Sequence, residues 1–270
     1  MNQFPASFLL LQHEGYLFRS CLLAGLNALG HATASDPGNF YSAFFQLSVG
    51  TERLLKSIVI IDHMASSGQT PTNRHLRELG HDIKKLIRIV ATMPATSAAN
   101  PLVTFGPNSV EVEIIDFLAE FATTTRYYNL DALSQAGRAN APLKRWNVLL
   151  QRLVRENVSR ERVLLIAQQS AELAGLMNDW AMVVAHDLDG TPMDMARMLA
   201  APRLQELGCR YAVWHVVKIL DGLHDCLHAA TWRAHGNSQS DHAPTVPFMY
   251  EFLNFTGYEK RQVLRKKRWP

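Results

Sequence analysis

The residues best equipped for chemistry fall into four groups along the chain. The first is Glu52-Arg53-Leu54-Leu55-Lys56, followed further on by His81-Asp82. A histidine gives or takes a proton near neutral pH, and a carboxylate can orient its ring. The second is Arg126-Tyr127-Tyr128-Asn129-Leu130-Asp131. An arginine grips phosphate through paired hydrogen bonds, and a tyrosine ring stacks on a base. The third is Asp221, His224, Asp225 and His228, which share one face of a helix; His224 and His228 have the spacing of metal ligands. The fourth is a basic tail, Lys260, Arg261, Arg265, Lys266, Lys267 and Arg268, flanked by Tyr258 and Trp269. Such a run can neutralise phosphates and stack on bases.

Each group has a plain structural alternative. Asp82 can cap the helix that follows it. Glu52 and Lys56 can form an exposed pair one turn apart, as most such charges do. Asn129 and Asp131 can satisfy backbone groups at a helix end, with the tyrosines in the core. The Asp221 to His228 set lies opposite the apolar stripe of its helix, so a solvated face explains it, and no glutamate stands between the histidines. No metal and no cofactor are therefore expected. The tail can be a solvated terminus or can dock through Trp269. Neither a GxSxG elbow nor a phosphate loop is present.

Composition sets the wider frame. A chain of 270 residues with 47% hydrophobic and 19% charged residues has ample material for a buried core. A net charge of +3 permits nucleic-acid binding without demanding it. Cys21, Cys209 and Cys226 are scattered and odd in number, which fits neither a disulfide framework nor a CxxC site and points to a reducing cytoplasm. The opening MNQFPASFLLLQHEG lacks a positive flank and a long apolar run, so a signal peptide is not expected. No run approaches the roughly 18 apolar residues of a membrane span.

Periodicity predicts helices throughout and no strands: an all-α protein. A first helix covers 6–31, with Leu9, Leu10, His13, Leu17, Cys21, Leu22 and Leu29 at helical steps, interrupted by glycines. After the Asp36-Pro37-Gly38 turn, Phe40, Phe44, Leu47, Thr51, Leu54, Leu55 and Ile58 mark the buried face of a long second helix. Residues 66–73 read as a loop and Asp82 to Met93 as a third helix. The prolines at 94, 101 and 107 break the next stretch. Asn108 and Glu111 form a capping box for a helix with Ile114, Ile115, Leu118, Phe121 and Ala122 inward. Further helices are expected at 142–156, at 159–186 with Val163, Ile166, Leu173, Leu176 and Trp180 inward, and from near Arg203 to Ala234. Thr191-Pro192 reads as a helix start. The two halves, 1–130 and 131–270, are expected as a helical bundle and a helical C-terminal region, with seams at 94–107 and 131–141.

The first half resembles the HEPN group of helical domains. The resemblance rests on Phe40, Tyr41 and Phe44, then Glu52-Arg-Leu-Leu-Lys56, then His81-Asp82 opening the next helix, and covers roughly residues 5–130. The RYYNLD string with the downstream Trp146 is similar to a group of bacterial proteins sharing this helical start. The resemblance implies a four-helix bundle, frequent homodimerisation, and in many members a metal-independent endoribonuclease of toxin or phage-defence systems, with an antitoxin or defence partner. Other members act as binding modules. The group's nuclease signature is an arginine followed after four to six residues by a histidine, and it fits Arg74 with His81 and Arg210 with His215. By resemblance, His81 would be base or acid, Arg126 or Arg74 the phosphate clamp and Glu52 the orienting carboxylate. Arg53, Lys56, Tyr127, Asn129 and the basic tail would contact RNA.

Overall fold

The computed structural model describes residues 4–93, 105–134, 141–177, 182–236 and 244–270. The described residues form helices and connecting turns, with two isolated bridges and no strand. Helices α1 (Ala6–His31) and α2 (Gly38–Ser67) make an antiparallel hairpin. Two short helices follow, α3 (Asn73–Leu79) and α4 (Ile83–Ala91), then α5 (Val110–Glu120). The last turn of α5 widens into a π-helical segment over Phe121–Thr125, before the short α6 (Tyr128–Leu133). The remainder is α7 (Pro142–Asn157), α8 (Arg160–Met177), α9 (Met195–Gly236), a 3₁₀ turn (Met249–Leu253) and α10 (Lys260–Arg265). At 42 residues, α9 is the longest element. It is about 63 Å long and packs against α1, α2, α5, α7 and α8. Buried residues of both halves of the chain belong to one contiguous core.

The hairpin is closed by a reciprocal glycine contact. A Cβ on Gly25 of α1 would lie 2.6 Å from the Leu47 side chain, and one on Gly50 of α2 would lie 2.9 Å from Leu22. Each glycine thus receives the leucine of the other helix, and the two backbones approach closely. The seven residues assigned to the inner face of α2, from Phe40 to Ile58, are all buried. On α1 the buried face agrees with the expected one at Leu22 and Leu29 and departs from it in the first half of the helix. Leu11, Phe18, Leu22, Leu26 and Leu29 are buried, whereas Leu9, Leu10 and Leu17 are exposed. The glycines explain the shift: they belong to the contact face, so the stripe that looks most apolar is not the one that packs.

Other expectations are corrected in the same physical terms. Between the expected loop and the expected third helix, residues Asn73–Leu79 form α3, capped by the Thr72 hydroxyl. Ser109, not Asn108, caps α5. Helix α8 ends its described span at Met177, and residues 182–186 are not helical. It buries Ile166, Ser170 and Ala174 while Leu173 and Leu176 are exposed. Small residues let α8 lie close to α9, and the leucines flank that contact. Thr191-Pro192 pairs back on His186 instead of starting a helix. The Asp194 carboxylate accepts from Arg197 N (2.7 Å) at the true start of α9. That helix runs through Pro202, which costs one backbone hydrogen bond without ending it. Trp180, Pro94 and Pro101, and most of both expected seams, lie outside the described residues.

The basic tail is docked. Trp269 is buried, its N–H donates to Asn27 Oδ1 (2.8 Å), and its ring meets Phe255 and Tyr258. The Lys266 ammonium sits over the Tyr258 ring, 4.2 Å from its centre.

Two predictions follow from this packing. Gly25→Ala should lower stability by about 1–3 kcal/mol through overpacking, although alanine is the better helix former. Gly30→Ala, with nothing within 4 Å of its added methyl, should leave stability unchanged or raise it by up to about 1 kcal/mol. Urea denaturation of both variants checks the contrast. Trp269→Ala should cost about 3–5 kcal/mol, read in the same experiment; a change within error would mean that the tail is not docked.

Candidate functional site

One face of α2 gathers most of the candidate residues. Tyr41, Phe45, Glu52 and Lys56 are spaced four, seven and four apart, which aligns them on a single stripe. The stripe is about 22 Å long. Near its C-terminal end, His81 Nδ1 donates to Glu52 Oε1 at 2.8 Å, and Lys56 Nζ donates to the same oxygen at 2.8 Å. Glu52 is largely covered, while the His81 side chain is 81% exposed. The carboxylate therefore fixes the ring through Nδ1 and leaves Nε2 facing solvent. His81 reaches this position because Gly80, with φ of 65°, turns the chain sharply between α3 and α4. Asp82 next to it caps α4 by accepting from Lys85 N (3.1 Å).

At the other end of the stripe, the Arg126 guanidinium stacks over the Phe45 ring, 5.2 Å from its centre. Its Nε is buried without a hydrogen-bond partner, and no carboxylate pairs with it among the described residues. Asn129 and the Tyr41 hydroxyl hydrogen-bond to each other (3.1–3.2 Å). Phe45 and Tyr127 are exposed, at 42% and 62%. The widened turn at Phe121–Thr125 immediately precedes Arg126 and sets its approach to α2. Arg126 thus stands about two helical turns from Glu52 along α2, and the expected cluster of His81, Arg126 and Glu52 is an extended strip.

Other candidates sit elsewhere. Arg74 pairs with Glu78 (2.9 Å) and is 89% exposed. Arg53 pairs with Glu14 across the α1–α2 hairpin (2.7 Å). Lys260 donates to Asn157 Oδ1 (3.2 Å) and lies over the Tyr211 ring. Arg261, Arg265, Lys267 and Arg268 are exposed on the docked tail. No hydrogen bond or ion pair joins the tail to Glu52, His81 or Arg126 among the described residues.

The third group is not a solvated face. Burial pushes the Asp221 carboxyl up, against the Gly257 N–H it accepts at 2.6 Å. His228 Nε2 accepts from Trp232 Nε1 (2.5 Å), and its ring meets Tyr250. The segment after residue 244 packs on Asp221, His224 and His228 and covers them in part. Among the described residues, no three His, Cys, Asp or Glu side chains converge as a metal site requires.

A second carboxylate–histidine–lysine set escaped the sequence reading. Glu111, assigned only to a capping box, turns its carboxylate into the structure. Oε1 accepts from His215 Nδ1 at 2.8 Å and from Lys218 Nζ at 2.5 Å. Burial works to raise this carboxyl, but the hydrogen bonds from His215 and Lys218 outweigh it and bring it down to about 2. The one signal available was His215 and Lys218 three apart on α9, two donors on one face awaiting an acceptor. Arg210, the arginine matched with His215 by spacing, pairs instead with Glu206 (2.6 Å).

No family model, curated protein or solved structure matches the chain. Among the described residues, no helix is long and apolar enough to cross a membrane.

The Glu111 set gives a pH prediction. A carboxyl held at about 2, below its ordinary 4.5, contributes stability that is fully present above 4.5 and is lost as pH falls toward 2. Melting temperatures between pH 5 and 2 should therefore fall more steeply for the wild type than for Glu111→Gln. Parallel slopes would show that the ionised carboxylate adds nothing to folding.

Proposed function

We propose that this chain is an RNA-acting protein of HEPN-like type that cleaves RNA without a metal ion. The observation that carries this reading is the strip along α2. It places a carboxylate-oriented, solvent-facing histidine about two helical turns from a stacked, carboxylate-free arginine. Exposed aromatic rings lie beside the arginine. An elongated exposed strip suits a single-stranded polymer, whose phosphates meet cations and whose bases stack on rings.

In this reading His81 Nε2 takes the proton of a ribose 2′-hydroxyl. The resulting alkoxide oxygen attacks the adjacent phosphorus in line, and the bond to the 5′-oxygen breaks. That oxygen takes a proton from water. The products are a 2′,3′-cyclic phosphate and a 5′-hydroxyl end. Glu52 stabilises the imidazolium that forms, and Lys56, held on the same carboxylate, faces the charge growing on phosphorus. Arg126, further along the strip, clamps a flanking phosphate, and Phe45 and Tyr127 offer faces for bases. The exposed cations of the tail would engage a longer RNA outside the strip.

A specific observation also supports the alternative, a non-enzymatic dimerisation or binding module. Leu9, Leu10, Tyr16 and Leu17 form an exposed stripe on α1, each between 46% and 65% accessible. Its seven-residue spacing suits a helix of a second copy, and an antitoxin or defence-system partner protein would compete for the same face.

The test is cleavage of total cellular RNA by purified protein in EDTA. Wild type should generate cyclic-phosphate ends, and His81→Ala should reduce the rate by at least 100-fold, within the range for loss of a general base. Glu52→Gln should give an intermediate loss. Intact RNA in the presence of folded wild-type protein would favour the binding module.

A further inference from the structure

A cavity of about 560 Å³ opens between the C-terminal half of α7, the start of α8 and the start of α9. It lies within the size range of small-molecule sites. Its apolar wall is aliphatic: Leu150, Val154, Val158, Val163 and Leu204 line it. The opposite margin is polar and follows a single stripe of α7, Asn147, Gln151 and Arg155, each four residues from the next.

The polar lining is chemically distinct from the aliphatic wall. Asn147 is 4% exposed and lines the cavity, so its side chain is available to a molecule bound there. Arg155 and Arg160 line the same cavity, and neither has a carboxylate partner among the described residues. Arg197 is the third arginine of the lining. It pairs with Asp187 (2.7 Å), the only carboxylate of the lining among the described residues, which is further held by Gln205 Nε2 (2.9 Å). Among the described residues, the lining therefore carries two arginines without a carboxylate partner beside an aliphatic wall.

We infer that this cavity binds a small amphipathic anion, an aliphatic chain ending in a carboxylate. The chain lies along Leu150, Val154, Val158, Val163 and Leu204. The carboxylate meets the Arg155 and Arg160 guanidiniums, whose planar forks match it. The Asn147 amide donates to a polar atom of the bound molecule. Among the described residues no aromatic ring lines the cavity, and the aliphatic wall favours an alkyl chain. The site is separate from the α2 strip, and its occupancy does not depend on RNA cleavage.

The experiment is calorimetric titration of the full chain with decanoate, below its micelle concentration, with decanol and decyltrimethylammonium as controls of equal chain length. Decanoate should bind saturably with one molecule per chain, and the cationic analogue should not bind. The double variant Arg155→Gln/Arg160→Gln should weaken decanoate at least tenfold and leave decanol unchanged. Both arginines are exposed and unpaired, so this variant should melt with the wild type. Val163→Trp, which places a ring in the cavity, should abolish binding of both decanoate and decanol. Absence of saturable decanoate binding to wild type overturns the proposal. So does equal affinity for decyltrimethylammonium, or unchanged decanoate affinity in the double arginine variant.

Discussion

The close crossing of α1 and α2 is the contact on which the rest of the structure depends. Gly25 receives Leu47 and Gly50 receives Leu22, so neither helix can shift along or away from the other without opening a gap or a clash. That fixes which face of α2 is buried and, by the helical period, which face is presented. The presented face carries Tyr41, Phe45, Glu52 and Lys56. His81 is brought to it by the turn at Gly80, and Arg126 by the widened turn that ends α5. The order of the strip is thus a consequence of packing on the far side of the same helix.

A second constraint comes from α9. This helix packs against both members of the hairpin and against α5, α7 and α8. Where it meets α5 it supplies His215 and Lys218 to the Glu111 carboxylate, a charged contact that is almost fully covered on the acid side. Removing either donor from such a pair leaves a buried charge poorly compensated, so the set acts as a selective joint between distant parts of the chain. Where α9 begins, Asp187, Arg197 and Gln205 tie its first turns to the preceding segment, and Gln205 Oε1 also accepts from Ala34 N (2.7 Å). The aliphatic cavity lies beside this joint.

The helices themselves were legible in the sequence wherever large apolar residues do the packing. The inner faces of α2, α7 and the central part of α9 match their hydrophobic stripes. Legibility failed where small residues make the contact. On α1 the glycines mark the buried face, and on α8 Ser170 and Ala174 do, while leucines on both helices remain exposed. Periodicity weights bulk and so points at the wrong stripe in these two cases. Thr191-Pro192 misled because Pro192 is held in an extended pairing with His186, and α9 begins only at Met195. At the candidate site, Glu52 and His81 could be paired from their types, but the distance of Arg126 along α2 could not, because it depends on the π-helical turn. The Glu111 acceptor was hidden by its position near a helix start, where capping offered a sufficient local explanation.

The proposal that the α2 strip meets RNA is tested most directly by photochemical cross-linking of the full chain to a short single-stranded RNA, with the attached residues mapped by mass spectrometry. Cross-links concentrated on Tyr41, Phe45 and Tyr127, and lost in Arg126→Ala, are the predicted result. Cross-links confined to the tail around Tyr258 and Trp269, or spread over the surface and unaffected by Arg126→Ala, would contradict it.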